Sequence, residues 1–330
     1  MTGSPLELVC PAGTPGALRA AVDAGADTVY LGFRDETNAR NFPGLNFSRQ
    51  EFAEGAAYAH SRGSKIYVAI NTFPDAGRAD LWHRAVDDAA AEGADAVVVA
   101  DAGLLAYARQ HHPDLRLHLS VQASASNTEA LGFYQSEYGI KRAVLPRVLT
   151  IPEIARITAE TTVEVEVFVF GGLCPMAEGR CVLSAYVTGV SPNRQGACAP
   201  ASHVRYEDDG GKMISKLGRF TINEFEAGEP AGYPTPCKGR YRIDGEAKYL
   251  FEEPVSLLTA AVLPDMVAAG VRALKIEGRQ RGRAYVADAV AAWRRLVDSE
   301  SAQPGATAAS LEDLTEGRRI TVGAYRKTWQ

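Results

Sequence analysis

The chain has 330 residues, 46% of them hydrophobic and 23% charged, with a formal net charge of −5 at pH 7. This is the make-up of a globular protein with room for a large core. No apolar run approaches a membrane span, and the acidic balance gives no electrostatic footprint for stable nucleic-acid binding. The opening MTGSPLELVCPAG has no cationic segment followed by an apolar run. It reads as a cytoplasmic chain, in which clustered thiols are metal-binding or catalytic more often than disulfide-bonded.

In chain order, apolar alternation and helical periodicity trade places. LELVCPAG precedes the helix-like GALRAAVDAGA, and TVYLGF precedes a loop and then RQEFAEGAAYAHSRG. KIYVAINTF is followed by DLWHRAVDDAAAEG, AVVVAD by AGLLAYARQHH, RLHLSVQASA by TEALGFYQSEYG, and RAVLPRV by IPEIARITAE. Gly25, Gly63, Gly93 and Gly139 stand where helices end and strands follow, as C′ glycines do. A seventh strand has Val163, Val165, Val167 and Val169 alternating with Glu164, Glu166, Phe168 and Phe170. The eighth, ALKIEGRQ, comes only at 273–280, before the helix GRAYVADAVAAWRRLVDS.

Eight strands at this spacing predict an α/β fold, a TIM-like (βα)₈ barrel with a cysteine-bearing, loop-rich insertion between strands seven and eight. A doubly wound open sheet is the rival, but nothing resembles its dinucleotide fingerprint. The expected division is 1–173 for strands one to seven, 174–255 for the insertion, 256–299 for the last strand and helix, and 300–330 for a tail docked on the barrel. Within the insertion, HVRYEDDGGKMISK reads as a hairpin around Asp209 and Gly210. The rest has little repetitive pattern, so a metal centre is an expected source of order. SAQPGATAAS, after Ser299, reads as a linker.

Four of the five cysteines fall in the insertion: Cys174, Cys181, Cys198 and Cys237, spaced C-x6-C-x16-C-x38-C. Soft thiolates select zinc or iron–sulfur clusters, and the close C-x₂₋₄-C knuckle usual for structural zinc is missing. Iron–sulfur, zinc and unligated thiols all remain open on spacing alone. Cys10, in the apolar first strand, reads as a buried packing residue.

Polar residues also gather where the strands would end. Asn71, Asp101, Gln122, Arg147, Glu166, Lys275, Glu277 and Arg279 alternate with apolar neighbours or follow them. Either Glu166, Arg147, Lys275 and Glu277 satisfy one another as an ion-pair network, or Arg147, Lys275 and Arg279 offer carboxylate partners to an anionic ligand. The loop DETNARNFPGLNF adds Asn38, Arg40, Asn41 and Asn46, as substrate contacts or as an ordered amide-rich turn. Arg194, in SPNRQGAC beside a cysteine, is placed to tune a neighbouring metal centre.

The stretch E-x-F-x-x-G-G-L-C-x4-G-x-C-x-L-S, from Glu166 to Ser184, resembles the signature of the collagenase-like peptidase family of unassigned mechanism. Gly172 stands where that family prefers Ser or Ala. CPAG, DETNARNFPGLNF, AINTF, SVQASASN, VLPRV, EGRCVLS, SPNRQGAC, AGYPTPCKGRY, EEPVSL, KIEGRQR and GAYRKTWQ extend the resemblance nearly end to end, and they are similar to the branch of the family that serves ubiquinone biosynthesis. The resemblance implies a [4Fe–4S] cluster on Cys174, Cys181, Cys198 and Cys237. It implies oxygen-independent hydroxylation of the ubiquinone precursor ring, a homologous iron–sulfur subunit as heterodimer partner, a lipid-carrier protein holding the precursor, and prephenate as hydroxyl donor. Asn71, Gln122, Arg147, Lys275 and Glu277 are the candidate catalytic residues. An RNA hydroxylase of the same family, a peptidase, and a non-catalytic electron-transfer or scaffold subunit are the alternatives. Against the peptidase, there is no GxSxG, no HExxH and no Cys–His arrangement. Against the RNA hydroxylase stand the acidic balance and the lack of a long extra C-terminal domain.

Overall fold

The protein is described here by a computed structural model that covers residues 6–298, 304–315 and 319–326. Strands and helices alternate from the start: β1 (Glu7–Pro11), α1 (Pro15–Asp23), β2 (Thr28–Leu31), α2 (Arg49–His60), β3 (Lys65–Ile70), α3 (Asp80–Ala91), β4 (Ala96–Val99), α4 (Ala102–His111), β5 (Arg116–Leu119), α5 (Thr128–Tyr138), β6 (Arg142–Val144), α6 (Ile151–Glu160) and β7 (Glu164–Gly172). The insertion carries α7 (Leu183–Thr188), α8 (Pro192–Gln195), β8 (Val204–Asp209), β9 (Lys212–Leu217), β10 (Phe220–Phe225), β11 (Arg240–Ile243) and β12 (Glu246–Tyr249). The chain then returns through β13 (Ser256–Leu258), α9 (Leu263–Ala268), β14 (Ala273–Ile276), α10 (Arg283–Asp298), α11 (Pro304–Glu312) and β15 (Ile320–Thr321).

Strands β1 to β7 pair in parallel in sequence order, and β14 closes the ring by pairing in parallel with both β1 and β7. The eight-stranded barrel is thus the expected one. Local chemistry sets the helix starts. Thr14 caps α1 ahead of Pro15, and Ser48–Glu51 and Thr150–Glu153 form capping boxes on α2 and α6. Gly25, Gly63, Gly93 and Gly139 all take positive φ, from 71° to 98°, the left-handed C′ conformation that only glycine adopts without strain.

Period-2 alternation splits the strand side chains into two sets. Val165, Val167 and Val169 face the helices and join a continuous outer core with Trp82, Trp293, Phe33 and Phe52. Inside the barrel a second, small cluster forms from Val9, Tyr30, Tyr67, Ala96, Val98 and Ala273. Small residues on alternate strands leave room there for long polar side chains from the others.

Three elements depart from expectation. The insertion is more regular than its composition implies: β8, β9 and β10 form an antiparallel sheet, and β11 and β12 form a hairpin. The foreseen β8–β9 turn is present, with Gly210 and Gly211 both at positive φ and Asp209 opposite Lys212. The short EEPVSL segment becomes β13, which adds antiparallel to the extended end of β7, and β15 adds to β13. Period alone cannot mark a three-residue strand that exists only because a longer one offers an open edge. Finally, the linker reading of SAQPGATAAS is overturned from Pro304 onward by α11. Proline at a first helical position, an alanine run and fully buried Leu311 explain the helix. Residues 327–330 of the terminal GAYRKTWQ lie outside the described residues. Its first part is docked: Gly323, Ala324 and Tyr325 are buried, and the Tyr325 hydroxyl donates to the Phe168 carbonyl at 2.7 Å.

Candidate functional site

Polar groups run through the barrel from its floor to its mouth. At the floor, Arg142 on β6 binds Glu7 (2.8 Å), Glu164 (2.7 Å) and Glu166 (3.4 Å). Glu7 also accepts from Thr28 and Tyr67. Burial would raise the Glu7 carboxyl, but Arg142 and these hydroxyls outweigh it and hold it at about 2. One step deeper, Lys275 donates to Glu166 at 2.6 Å and lies 3.8 Å from the centre of the Tyr30 ring. Burial pushes the Lys275 ammonium below its ordinary range, with Glu166 opposing. His118 is buried against Tyr67, accepts from Arg116 Nε through Nε2, and leaves Nδ1 without a partner. Burial drives it well below its usual range, so it is neutral.

The mouth is closed by two segments that the strand ends hold together. The first is the 33–47 loop, in which Asn38 donates to the Phe33 carbonyl and the Ala39 amide donates to Asn71 Oδ1 at 3.0 Å. The second is the cysteine segment after β7. Its Gly179 sits against the Gln122 carbonyl, so close that a Cβ would stand 2.0 Å from that oxygen, and Ser124 donates to the Glu178 carbonyl. Gly196 meets the Ala39 carbonyl in the same way, where a Cβ would stand 1.7 Å away, and Arg40 donates to the Gly196 carbonyl. The two loops therefore contact each other across the mouth.

The candidate residues separate on this frame. Asn71 sits in the mouth, and its amide reaches Ser120 Oγ at 3.4 Å. Gln122 keeps its Oε1 buried without a partner. Glu277 accepts from the Gly172 amide at 2.8 Å and lies 3.6 Å from Arg40. A Cβ on Gly172 would stand 3.0 Å from that carboxylate, so a larger residue there needs only a side-chain shift. Arg147 is paired with neither Glu166 nor Glu277. It binds Glu178 at 2.8 Å, donates to the Gly172 carbonyl and covers the Phe168 ring at 4.2 Å. Asp101 caps α4. Arg194 binds Asp75 at 2.8 Å on the surface. The interior charges thus form two networks, one in the barrel and one in the mouth, where the sequence suggests a single one.

The structure brings the four insertion thiols into one neighbourhood. Cys198 interacts electrostatically with Cys174, Cys181 and Cys237. Burial raises Cys174 to about 12, reinforced by Glu178 and opposed by Arg147. Burial raises Cys237 to about 11, and Cys198, though accessible at the surface, is also raised, with Arg40 opposing. Such thiols stay protonated until a cation is present to hold the thiolates. Cys10 is apart, fully buried in the outer core, its Sγ 3.8 Å from the Leu8 carbonyl.

Glu7, Tyr30, Arg142 and Glu178 were not singled out in the sequence. Arg142 and Glu7 begin their strands, where alternation is least legible. Glu178 lies inside the cysteine signature, and a carboxylate between two thiols was the available signal.

The profile described as peptidase family U32 matches residues 13–327. The chain is 33% identical over 344 residues to "tRNA hydroxylation protein P" of Escherichia coli, covering 97% of this chain and 74% of that protein. It is 32% identical to "tRNA hydroxylation protein P1" of Bacillus subtilis, covering 90% and 64%. With "23S rRNA 5-hydroxycytidine C2501 synthase" of Escherichia coli it shares 31% identity over 94% of this chain and 42% of that protein. No helix among the described residues is long and apolar enough to cross a membrane.

Proposed function

We propose that this chain, which belongs to peptidase family U32, is an iron–sulfur hydroxylase subunit that acts without O₂ on the ring of a ubiquinone precursor, together with a homologous iron–sulfur partner. The observation that carries the reading is the neighbourhood of Cys174, Cys181, Cys198 and Cys237 beside the barrel mouth. Among the described residues, no three Cys, His, Asp or Glu side chains form a ready site for a single metal ion. Four soft donors fit a polynuclear cluster in number and chemistry. Cys174, Cys181, Cys198 and Cys237 would hold a [4Fe–4S] cluster, which supplies one-electron chemistry when bound. Arg147 and Arg40, whose charges favour the thiolate forms of Cys174 and Cys198, would offset the negative charge that four thiolates gather.

The chain's other residues would bind and orient. Gln122 would present its amide to a ligand in the mouth, since its buried, unpartnered Oε1 is an acceptor in want of a donor, while Asn71 holds the 33–47 loop through the Ala39 amide. The 33–47 loop and the cysteine segment, in contact with each other, would exclude water from that space. The ubiquinone branch is favoured by the end-to-end resemblance of the motifs, from CPAG to KIEGRQR. Arg147, tied to Glu178, is better suited to supporting the cysteine segment than to binding prephenate, the donor that resemblance implies.

A second reading has its own support: named relatives act on tRNA and on 23S rRNA. One experiment separates the two. A strain lacking the gene is grown with and without O₂, and its ubiquinone and hydroxylated nucleosides are quantified by mass spectrometry. We expect ubiquinone to fail only without O₂ and to return with the intact gene. Normal anaerobic ubiquinone with a missing hydroxylated nucleoside would replace the ubiquinone reading by the RNA one. Anaerobically purified protein should carry iron and sulfide in equal amounts. Stoichiometric zinc without sulfide would remove the cluster.

A further inference from the structure

The floor of the barrel opens into a cavity of about 1060 Å³, lined by none of the residues that form the mouth. Each of the eight barrel strands brings one charged residue to it, at the first position of the strand or just before it. The carboxylates are Glu7, Asp27, Asp95 and Glu164, and the cations are Lys65, Arg116, Arg142 and Arg272. The two signs are equal in number, but the partners do not divide evenly. Glu7 and Glu164 hold Arg142, and Glu164 also holds Arg116. Asp27 turns instead to the Leu8 amide at 2.7 Å and to Arg294 of α10 at 2.8 Å. Asp95 takes the Ile66 amide at 2.7 Å and His60 of α2 at 2.8 Å. Arg294 and His60 lie outside the cavity wall, so two of its four carboxylates are spent elsewhere. Among the described residues, Lys65 and Arg272 are left with no carboxylate. Their places are fixed by the backbone: the Lys65 amide donates to the Asp27 carbonyl at 2.9 Å, and the Arg272 carbonyl accepts from the Glu7 amide at 3.0 Å. Only β1 and β2 stand between their strands, so they are roughly 14 Å apart along the wall, and their long side chains border the same space. A further part of the wall is small and apolar, built from Ala155 and Ala159 of α6 and Ala268 of α9.

We infer that the floor cavity is a binding site for a small phosphate monoester, with its phosphate held between Lys65 and Arg272 and its organic body against the alanines of α6 and α9. Two cations without counter-charges call for a group with close to two negative charges, and a phosphate monoester carries about −1.5 to −2 at neutral pH. Its terminal oxygens accept from a lysine and an arginine together, in charge-assisted hydrogen bonds. Size sets the rest of the ligand. Cavities that hold small organic molecules run to roughly 1,000 Å³, so this one has room for a body as large as a mononucleotide and far more than an inorganic ion needs. The chemistry of a (βα)₈ barrel takes place at the opposite end, where the strands finish. The ligand is therefore bound apart from the reacting groups, and the site does not depend on which reaction the mouth performs.

The test uses full-length protein purified without O₂, with AMP and ribose 5-phosphate as probes and inorganic phosphate and succinate as comparisons. Binding is read by calorimetry, and melting by fluorimetry without probe. Wild type should bind at least one of the two monoesters with a dissociation constant below about 1 mM, and more tightly than either comparison. Lys65→Gln and Arg272→Gln should each weaken that binding at least about tenfold. Both side chains are exposed and unpaired, so each variant should melt within about 1 °C of wild type. Gln122→Ala, at the mouth, should bind the monoester as wild type does. No monoester binding by wild type, or equal affinity in wild type and both floor variants, would overturn the inference. Inorganic phosphate bound as tightly as the monoesters would reduce the site to a contact for any anion, and succinate bound more tightly would assign it to another class of ligand; either result overturns the proposal. Binding lost in Gln122→Ala and kept in the floor variants would move the ligand to the mouth. A fall in melting temperature well beyond 1 °C in both floor variants would show that the two cations hold the floor together and are not free for a ligand.

Discussion

Replacing Arg147 by Gln tests whether the mouth charges support the cysteine segment or stand free for a ligand. Arg147 and Glu178 are 7% and 8% exposed and 2.8 Å apart. The second Glu178 oxygen already lacks a partner. Removing the guanidinium therefore leaves a buried carboxylate with no compensation, beside the Cys174 thiol that it already pushes upward. Breaking one side of such a pair costs about 3–5 kcal/mol. In a chain of this size that is a fall in melting temperature of roughly 4–7 °C. The Gly172 carbonyl and the Phe168 face lose a partner as well, so iron content should fall with stability. The double variant Arg147→Gln/Glu178→Gln removes both charges and should recover most of the loss, leaving about 1 kcal/mol. Melting and iron per chain are measured on anaerobically purified wild type, both single variants and the double. If Arg147→Gln melts within about 1 °C of wild type and keeps its iron, Arg147 does not support the segment. If the double variant is as unstable as the single, the loss comes from packing and not from the stranded charge.

Three further outcomes are expected. Substituting Ala for Cys174, Cys181, Cys198 or Cys237 should remove iron and sulfide together with the brown chromophore, while Cys10→Ala, which touches only the outer core, should keep them; a colourless Cys10→Ala protein would show that the ligand set is wrong. Glu7, at about 2 in the folded state against 4.5 in the unfolded, contributes roughly 3 kcal/mol that is complete above about pH 4.5 and is lost as pH falls toward 2; Glu7→Gln should flatten that acid limb in denaturant titrations at stepped pH, and an unchanged slope would disprove the linkage. Gly196→Ala would put a Cβ 1.7 Å from the Ala39 carbonyl at a φ of 64°, so it should part the two mouth loops at a cost of at least about 2 kcal/mol, seen as faster protease cleavage within 33–47 and lower iron content; wild-type cleavage rates would mean that the loops do not depend on this contact.

The amino-acid order by itself determined the barrel. Eight apolar alternations, each but the seventh followed by a helical repeat, leave little choice of topology, because parallel strands need crossovers and each crossover here is a helix. The sequence also determined the thiol set, since four cysteines in one 64-residue stretch stand out whatever the fold. It could name the polar residues of the barrel, because alternation tells which face a side chain takes. It could not tell which charges meet. Arg147 and Glu178, or Arg279 and Asn38, come together only when the strands tilt and the loops close, and partners 31 and 241 residues apart leave no local pattern. For the same reason β13 and β15 were illegible: each is a strand only because β7 runs past the barrel and leaves backbone groups that need partners. The tertiary structure alone decided that the interior charges form two networks rather than one.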